Sequence, residues 1–204
     1  MAITLHNGDL PDDLDLGSIV GVDSETMGLN PHRDRLCLVQ LSAGDGDAHL
    51  VKFGRGNFEA PNLKALLADD GVTKIFHFAR FDLAVIKKYL GVWAGPVYCT
   101  KSASQLVRTY TDRHGLKDIC RELLGVEISK QQQSSDWGAE EISEAQMKYA
   151  ASDVLHLHRL KEVLDQMLER EGRAGVAAAA FEFLPVRAEL DLLGWAEKDI
   201  FAHS

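Results

Sequence analysis

The sequence predicts one α/β domain built on a mixed sheet, and three observations carry that reading. Apolar runs of strand length crowd the first half of the chain, separated by short turns such as AGDGD at 43–47. Helical segments are intercalated among the later strands. Beyond residue 100 the pattern is helical. No repeat, low-complexity stretch or linker divides the chain, so residues 1–204 read as a single domain, with its core at about 18–165 and C-terminal helices and a tail at about 166–204.

Residues 18–24 form the first apolar run, followed by RLCLVQLS at 35–42 and AHLVKF at 48–53. Their short connections make these three antiparallel neighbours. Residues 61–68 read as a helix, with Pro61 at the first position, where a missing N–H costs nothing. TKIFHF at 73–78 is a fourth strand leading into a helix over 82–89, and residues 97–99 are a short fifth strand. Helices follow at 101–110, 114–124, 143–169 and 172–193, with Gly125 placed as a C-cap.

The composition bounds the function. Hydrophobic residues make up 46%, ordinary for a folded core. No apolar run approaches the roughly 20 residues that span a bilayer. The opening MAITLHNGDLPDDLDLG lacks the basic start, apolar stretch and small-residue cleavage site of a signal peptide. Three cysteines, Cys37, Cys99 and Cys120, are an odd number at unrelated spacings and suit a reducing cytoplasm. Acids outnumber Lys plus Arg by 31 to 22, a formal charge of −9. That disfavours a protein that wraps long nucleic acid through a broad basic surface. It leaves room for a small anionic substrate, because bound divalent metal reverses the charge of a pocket locally.

Within the first strand, GVDSETMGL sets Asp23 and Glu25 two residues apart, hence on one face of an extended chain. Two such charges about 4 Å apart repel by roughly 1 kcal/mol in water and about 4 kcal/mol at an effective dielectric near 20. Alone, the pair reads equally well as a solvated strand edge. Asp82 lies where a second apolar strand turns helical, in IFHFARFDLAVI. Tyr149 and Asp153 sit one helical turn apart on a common face in YAASDVLHLHRL. The ordered set is Asp-x-Glu, then Asp, then Tyr-x-x-x-Asp.

This set resembles the DEDDy family of 3′–5′ exonucleases, which includes ribonuclease D and the proofreading domains of polymerases. HGLKDICRELLGVEISKQQQSSDW at 114–137, followed by YAASDVLHLHRL at 149–160, is similar to the ribonuclease D segment joining its second and third motifs. HRDRLCLVQLS, KIFHFARFDLA and RTYTDRHGLK resemble the small nano-RNase branch of the family, which acts on very short oligoribonucleotides. The resemblance implies a ribonuclease H-like fold, without the additional C-terminal helical domains of a full ribonuclease D.

It further implies two divalent cations, Mg²⁺ or Mn²⁺, per active site. Asp23 would bridge both, Glu25 and Asp153 would hold one, and Asp82 would support the other directly or through water. Hard cations prefer carboxylate oxygens, so repulsion within the cluster becomes attraction to shared metal. Tyr149 would orient the attacking water, since a phenol of pKa about 10 is a poor base by itself. Substrate contacts are assigned to Thr26, Met27 and Leu29, with Leu29 as an apolar wedge between bases, although Leu29 reads equally as core. His77 and Phe78 are placed to face ribose or base, unless they are ordinary strand residues. The loop bearing Lys130, Gln133, Ser134, Asp136 and Trp137 suits phosphate contact and aromatic stacking; its plainer reading is a solvated connection.

The expected activity is hydrolysis of very short RNA, dinucleotides above all, to nucleoside 5′-monophosphates. Processing of longer RNA, or of DNA, uses the same chemistry, and an inactive nucleic-acid-binding module is the non-enzymatic alternative. His156 and His158 are two apart, unlike the zinc-helix i, i+4 pair, and read as surface or packing residues. Leu190, Leu192, Leu193, Trp195, Ile200 and Phe201 crowd the tail. These either fold back on their own domain or dock on a second copy, and the resemblance implies a closed homo-octamer.

Overall fold

The computed structural model describes residues 2–129 and 131–203. Its strands are β1 (Ile3–Asn7), β2 (Ile19–Thr26), β3 (Leu36–Ser42), β4 (Ala48–Lys52), β5 (Thr73–Phe76) and β6 (Val97–Cys99). They form one sheet in the order β1-β4-β3-β2-β5-β6. β2, β3 and β4 pair antiparallel through their short turns, whereas β5 and β6 add parallel to β2, β5 beside β2 and β6 beside β5. Parallel neighbours need a crossover. Helix α1 (Pro61–Ala68) lies between β4 and β5, and helix α2 (Ala79–Leu90) joins β5 to β6.

β1 escapes the sequence reading. It pairs parallel with β4, Ile3 opposite Ala48 through Asn7 opposite Lys52. No local turn announces a partner so distant along the chain.

The strand expected over 73–78 stops at Phe76, and α2 begins three residues earlier than its periodicity indicates. Phe78 causes this. Its φ of 68° and ψ of 47° are left-handed, turning the chain abruptly from strand into helix. A non-glycine residue there carries strain of about 1–3 kcal/mol.

The later helices are α3 (Thr100–Val107), α4 (Leu116–Ile119), α5 (Glu144–Val154), α6 (Leu157–Arg170) and α7 (Ala174–Leu190), with π-helical turns at Cys120–Leu124 and Asp191–Trp195. The single helix expected over 143–169 is broken at Leu155–His156. α5 packs Ala150 with Cys37, Leu38, Leu50, Trp137 and Ile142. α6 instead buries Leu157, Leu160, Leu164 and Leu168 in the main core with Val22, Phe76 and Leu83. α5 also gives Ala151 and Val154 to that main core, so it bridges the two clusters. Ser143 starts α5 with a reciprocal capping box to Gln146.

Gly21 sets the approach of this break to the sheet. A Cβ there would lie 3.0 Å from the Val154 carbonyl and 3.4 Å from Leu157. Its absence lets the end of α5, and therefore Asp153, come down onto β2. Among the described residues no helix is long and apolar enough to cross a membrane.

Candidate active site

The strand end, the strand-to-helix turn and α5 converge on one cleft of about 750 Å³. Alternation along β2 puts Asp23 and Glu25 on a common face. Oxygens of Asp23, Glu25 and Asp153 lie within 4.8 Å of one another. Asp82 stands beside this trio. Buried in the first turn of α2, it accepts a 2.6 Å hydrogen bond from the Ser24 hydroxyl. All five residues of the ordered set border the cleft.

The acids are held at high electrostatic cost. Burial first, then the charges of Asp82, Asp153 and Glu25, raise Asp23 well above the usual carboxylate range. Burial followed by repulsion from Asp153 and Asp82 pushes Glu25 up to about 9. Burial lifts Asp82 and Asp153 to about 7, against hydrogen bonds from Ser24 and Tyr149 respectively. The other charges acting on Asp23 and Glu25 are all carboxylates. A set of hard oxygen donors with like charges crowded together is chemically suited to divalent cations such as Mg²⁺. Tyr149 is also raised, by burial and then by Asp153, so its phenol stays protonated and serves as a donor.

The rim is built from side chains left outside the core. Leu29 is 87% exposed, so it is not a core residue. Its loop is clamped: the Asn30 amide donates to Asp34 Oδ2 at 3.0 Å, and the Asp34 amide donates to the Asn30 carbonyl at 2.7 Å. A Cβ at Gly28 would lie 2.4 Å from Asp34 Oδ2, so a larger residue would displace the carboxylate that clamps the loop. Thr26 donates to the Gly28 carbonyl within the same turn. Met27 and Phe78 are exposed beside the cleft, and His77 lines it.

The polar loop divides. Gln133 and Ser134 border the cleft, exposed. Trp137 is 2% exposed and packs its ring against Tyr149, centroids 6.0 Å apart. It borders the cleft while backing the tyrosine. The Asp136 side chain is turned to the Gly138 amide, 3.0 Å away. Lys130 lies outside the described residues.

Three contributors were missed. Gln40, opposite Asp23 in the β2–β3 register, donates through Nε2 to Asp23 Oδ2 at 3.2 Å. It is the one amide inside an otherwise apolar strand run, a signal legible only once register is known. Lys101 and Lys117 bring positive charge to the cleft, with the Lys101 ammonium 4.2 Å from the Phe78 ring centroid. Lys101 stands in no recognisable motif, and Lys117 lies in the HGLK stretch that carries the family resemblance without any local sign that it faces the cleft. His156 and His158 stay away from the cleft, and His158 Nε2 is 3.0 Å from the Ile19 carbonyl.

The profile of a 3′–5′ exonuclease family matches residues 9–169. A ribonuclease D of Gluconacetobacter diazotrophicus is 36% identical over 154 residues, 76% of this chain and 39% of the relative. The chain therefore spans about two fifths of the length of such ribonuclease D relatives. Brucella melitensis NrnC, in a structure bound to pGG, is 62% identical, superposes with a TM-score of 0.97 and covers all of both chains. A second structure of that protein, with bound Mg²⁺, is 61% identical with a TM-score of 0.96 over the full length of both. The mixed sheet with flanking helices is ribonuclease H-like, and with the profile match covering most of its length, the chain belongs to the 3′–5′ exonuclease family.

Proposed function

We propose that the chain is a divalent-metal-dependent 3′–5′ exoribonuclease specialised for very short RNA, dinucleotides in particular, releasing nucleoside 5′-monophosphates. One observation carries the length preference. The carboxylates face a cleft of about 750 Å³ overhung by Leu29 on a clamped loop. That volume falls within the range of about 300–1,000 Å³ typical of small-ligand sites and is not an extended track. The pGG bound by the Brucella relative is in keeping with a substrate of this size.

Family membership implies divalent cations, and Asp23, Glu25, Asp153 and Asp82 would hold them. When bound, such ions acidify a water and offset charge developing at the scissile phosphate. Gln40 keeps the Asp23 carboxylate turned toward the cleft by its hydrogen bond. Tyr149, protonated and braced by Trp137, orients the attacking water through its hydroxyl. Leu29 and Phe78 offer apolar surface to bases, while Lys101 and Lys117 supply the positive charge that an anionic substrate needs in a protein of charge −9.

The exposed apolar tail supports assembly into a closed homo-oligomer, which we take to be an octamer. Leu193, Trp195, Ile200 and Phe201 remain exposed although the segment folds back along α7. The three cysteines are buried free thiols, in keeping with a cytoplasmic protein.

A length series of labelled RNA and DNA, from two nucleotides upward and under single-turnover conditions with Mg²⁺, tests the reading. Dinucleotides should be hydrolysed fastest, with rates falling as length grows. Equal or faster turnover of long RNA would overturn the proposal.

A further inference from the structure

His77 stands at the end of β5 with its ring in the cleft and one of its nitrogens already committed. Nδ1 lies 2.9 Å from the Thr100 hydroxyl oxygen. That hydroxyl has one proton, and it donates it to the Phe76 carbonyl at 3.2 Å. Thr100 is fully buried, so no water competes for the proton. Towards His77 the oxygen can therefore only accept, which places the imidazole proton on Nδ1. Nε2 is left with a bare lone pair and makes no hydrogen bond among the described residues. Burial, then the nearby Lys101 charge, pushes the imidazole down to about 3, so the ring is neutral at working pH.

A neutral imidazole presenting a lone pair is selective in its partners. It repels phosphate oxygens, which are acceptors at neutral pH, and it binds hydroxyl or amine protons. Every ribonucleotide carries such a donor on its sugar, and 2′-deoxynucleotides lack it. We propose that His77 Nε2 accepts a hydrogen bond from the 2′-hydroxyl of a bound nucleotide and thereby discriminates RNA from DNA. This rests on the reading of the cleft as a short-RNA site and adds the sugar preference that the reading leaves open. Thr100 is a positioning residue: it touches no substrate but dictates which nitrogen is bare.

The test compares three dinucleotides, all-ribo, 2′-deoxy at the first residue and 2′-deoxy at the second, in single-turnover assays with Mg²⁺. The wild type should lose roughly 3- to 10-fold in kcat/KM for one of the two deoxy substitutions, the range of one neutral hydrogen bond. His77→Asn retains a donor towards Thr100 and loses the acceptor in the cleft. It should lose that same factor on the all-ribo substrate and show no further loss on the deoxy one. Thr100→Val leaves the ring in place but frees the tautomer, and should shrink the ribo preference when assayed below its melting temperature, which falls because the buried Phe76 carbonyl loses its donor. A wild type that ignores both substitutions, or variants that keep its full preference, would overturn the assignment while leaving short-RNA hydrolysis intact. A wild type that hydrolyses no dinucleotide at all would overturn both readings.

Discussion

Arg80 and Asp191, 111 residues apart, meet in a two-pronged ion pair, with the guanidinium Nε and one terminal nitrogen 2.5 and 2.7 Å from the two carboxylate oxygens. Arg187 adds a third bond to Asp191 at 2.6 Å, and His32 Nε2 lies 3.3 Å from its carbonyl. The carboxylate thus joins α2, two residues before Asp82, to α7, while the backbone carbonyl of the same residue meets the loop carrying Leu29. Removing the carboxylate leaves two guanidinium groups facing each other. Asp191→Ala should cost about 1–3 kcal/mol, below the figure for fully buried pairs because Arg80 is partly wetted. It should also raise KM for dinucleotides more than it lowers kcat. Thermal melts and steady-state kinetics check this; an unchanged KM would confine the node to stability.

The carboxylates make a contrasting case. Asp23→Ala or Asp153→Ala removes one member of a mutually repelling cluster. Turnover should vanish while the metal-free protein melts at or above the wild-type temperature. Substantial Mg²⁺-dependent hydrolysis by either variant would refute the site assignment.

Tyr149→Phe keeps the ring packed on Trp137 and removes only the hydroxyl. Activity should fall by about 10²–10⁴-fold, the usual range for a positioned proton-handling group. Mg²⁺ binding by calorimetry should persist. Near-wild-type rates would show that the residue only packs.

Stability should depend on pH through the same acids. Their folded pKa values, about 7 for Asp82 and Asp153 and about 9 for Glu25, exceed the value of about 4 in an unfolded chain. The folded state therefore binds protons more tightly, and that stabilisation is lost as pH rises through the folded values. Between about pH 4 and 9 the metal-free protein should fall progressively further below its Mg²⁺-loaded form in melting temperature. Paired melts in chelator and in Mg²⁺ measure the gap, and a gap that narrows with pH would contradict the electrostatics.

Assembly can be tested without disturbing Asp191. Trp195 is 43% exposed and Phe201 75%. Light scattering of the wild type should report a particle several times the 22.5 kDa chain. Ile200→Glu with Phe201→Glu should dissociate it and lower dinucleotide turnover. A monodisperse, fully active wild-type monomer would refute the oligomer while leaving the metal site untouched.

What the sequence showed of this molecule was its local physics. Alternation placed Asp23 beside Glu25, helical periodicity placed Tyr149 over Asp153, and short turns marked β2, β3 and β4 as neighbours. Asp82 was legible because an apolar run changes period at that point. Long-range relations were not legible. β1 finds its partner 45 residues away, and Gln40 matters only through its register with Asp23. Trp137 was legible as the one aromatic of a polar loop, but its packing against α5, β3 and β4 was not. The Asp191 node joins segments that no periodicity connects.

The left-handed turn at Phe78 also bears on how this protein would respond to selection. Glycine there would relax the backbone and, in a stable helix start, make the fold more robust. It would also delete the ring beneath Lys101 at the mouth of the cleft. Heat resistance and catalysis would then pull this position in opposite directions. A screen for thermostability alone would favour the glycine, and a screen for dinucleotide turnover would restore the aromatic residue despite its strain.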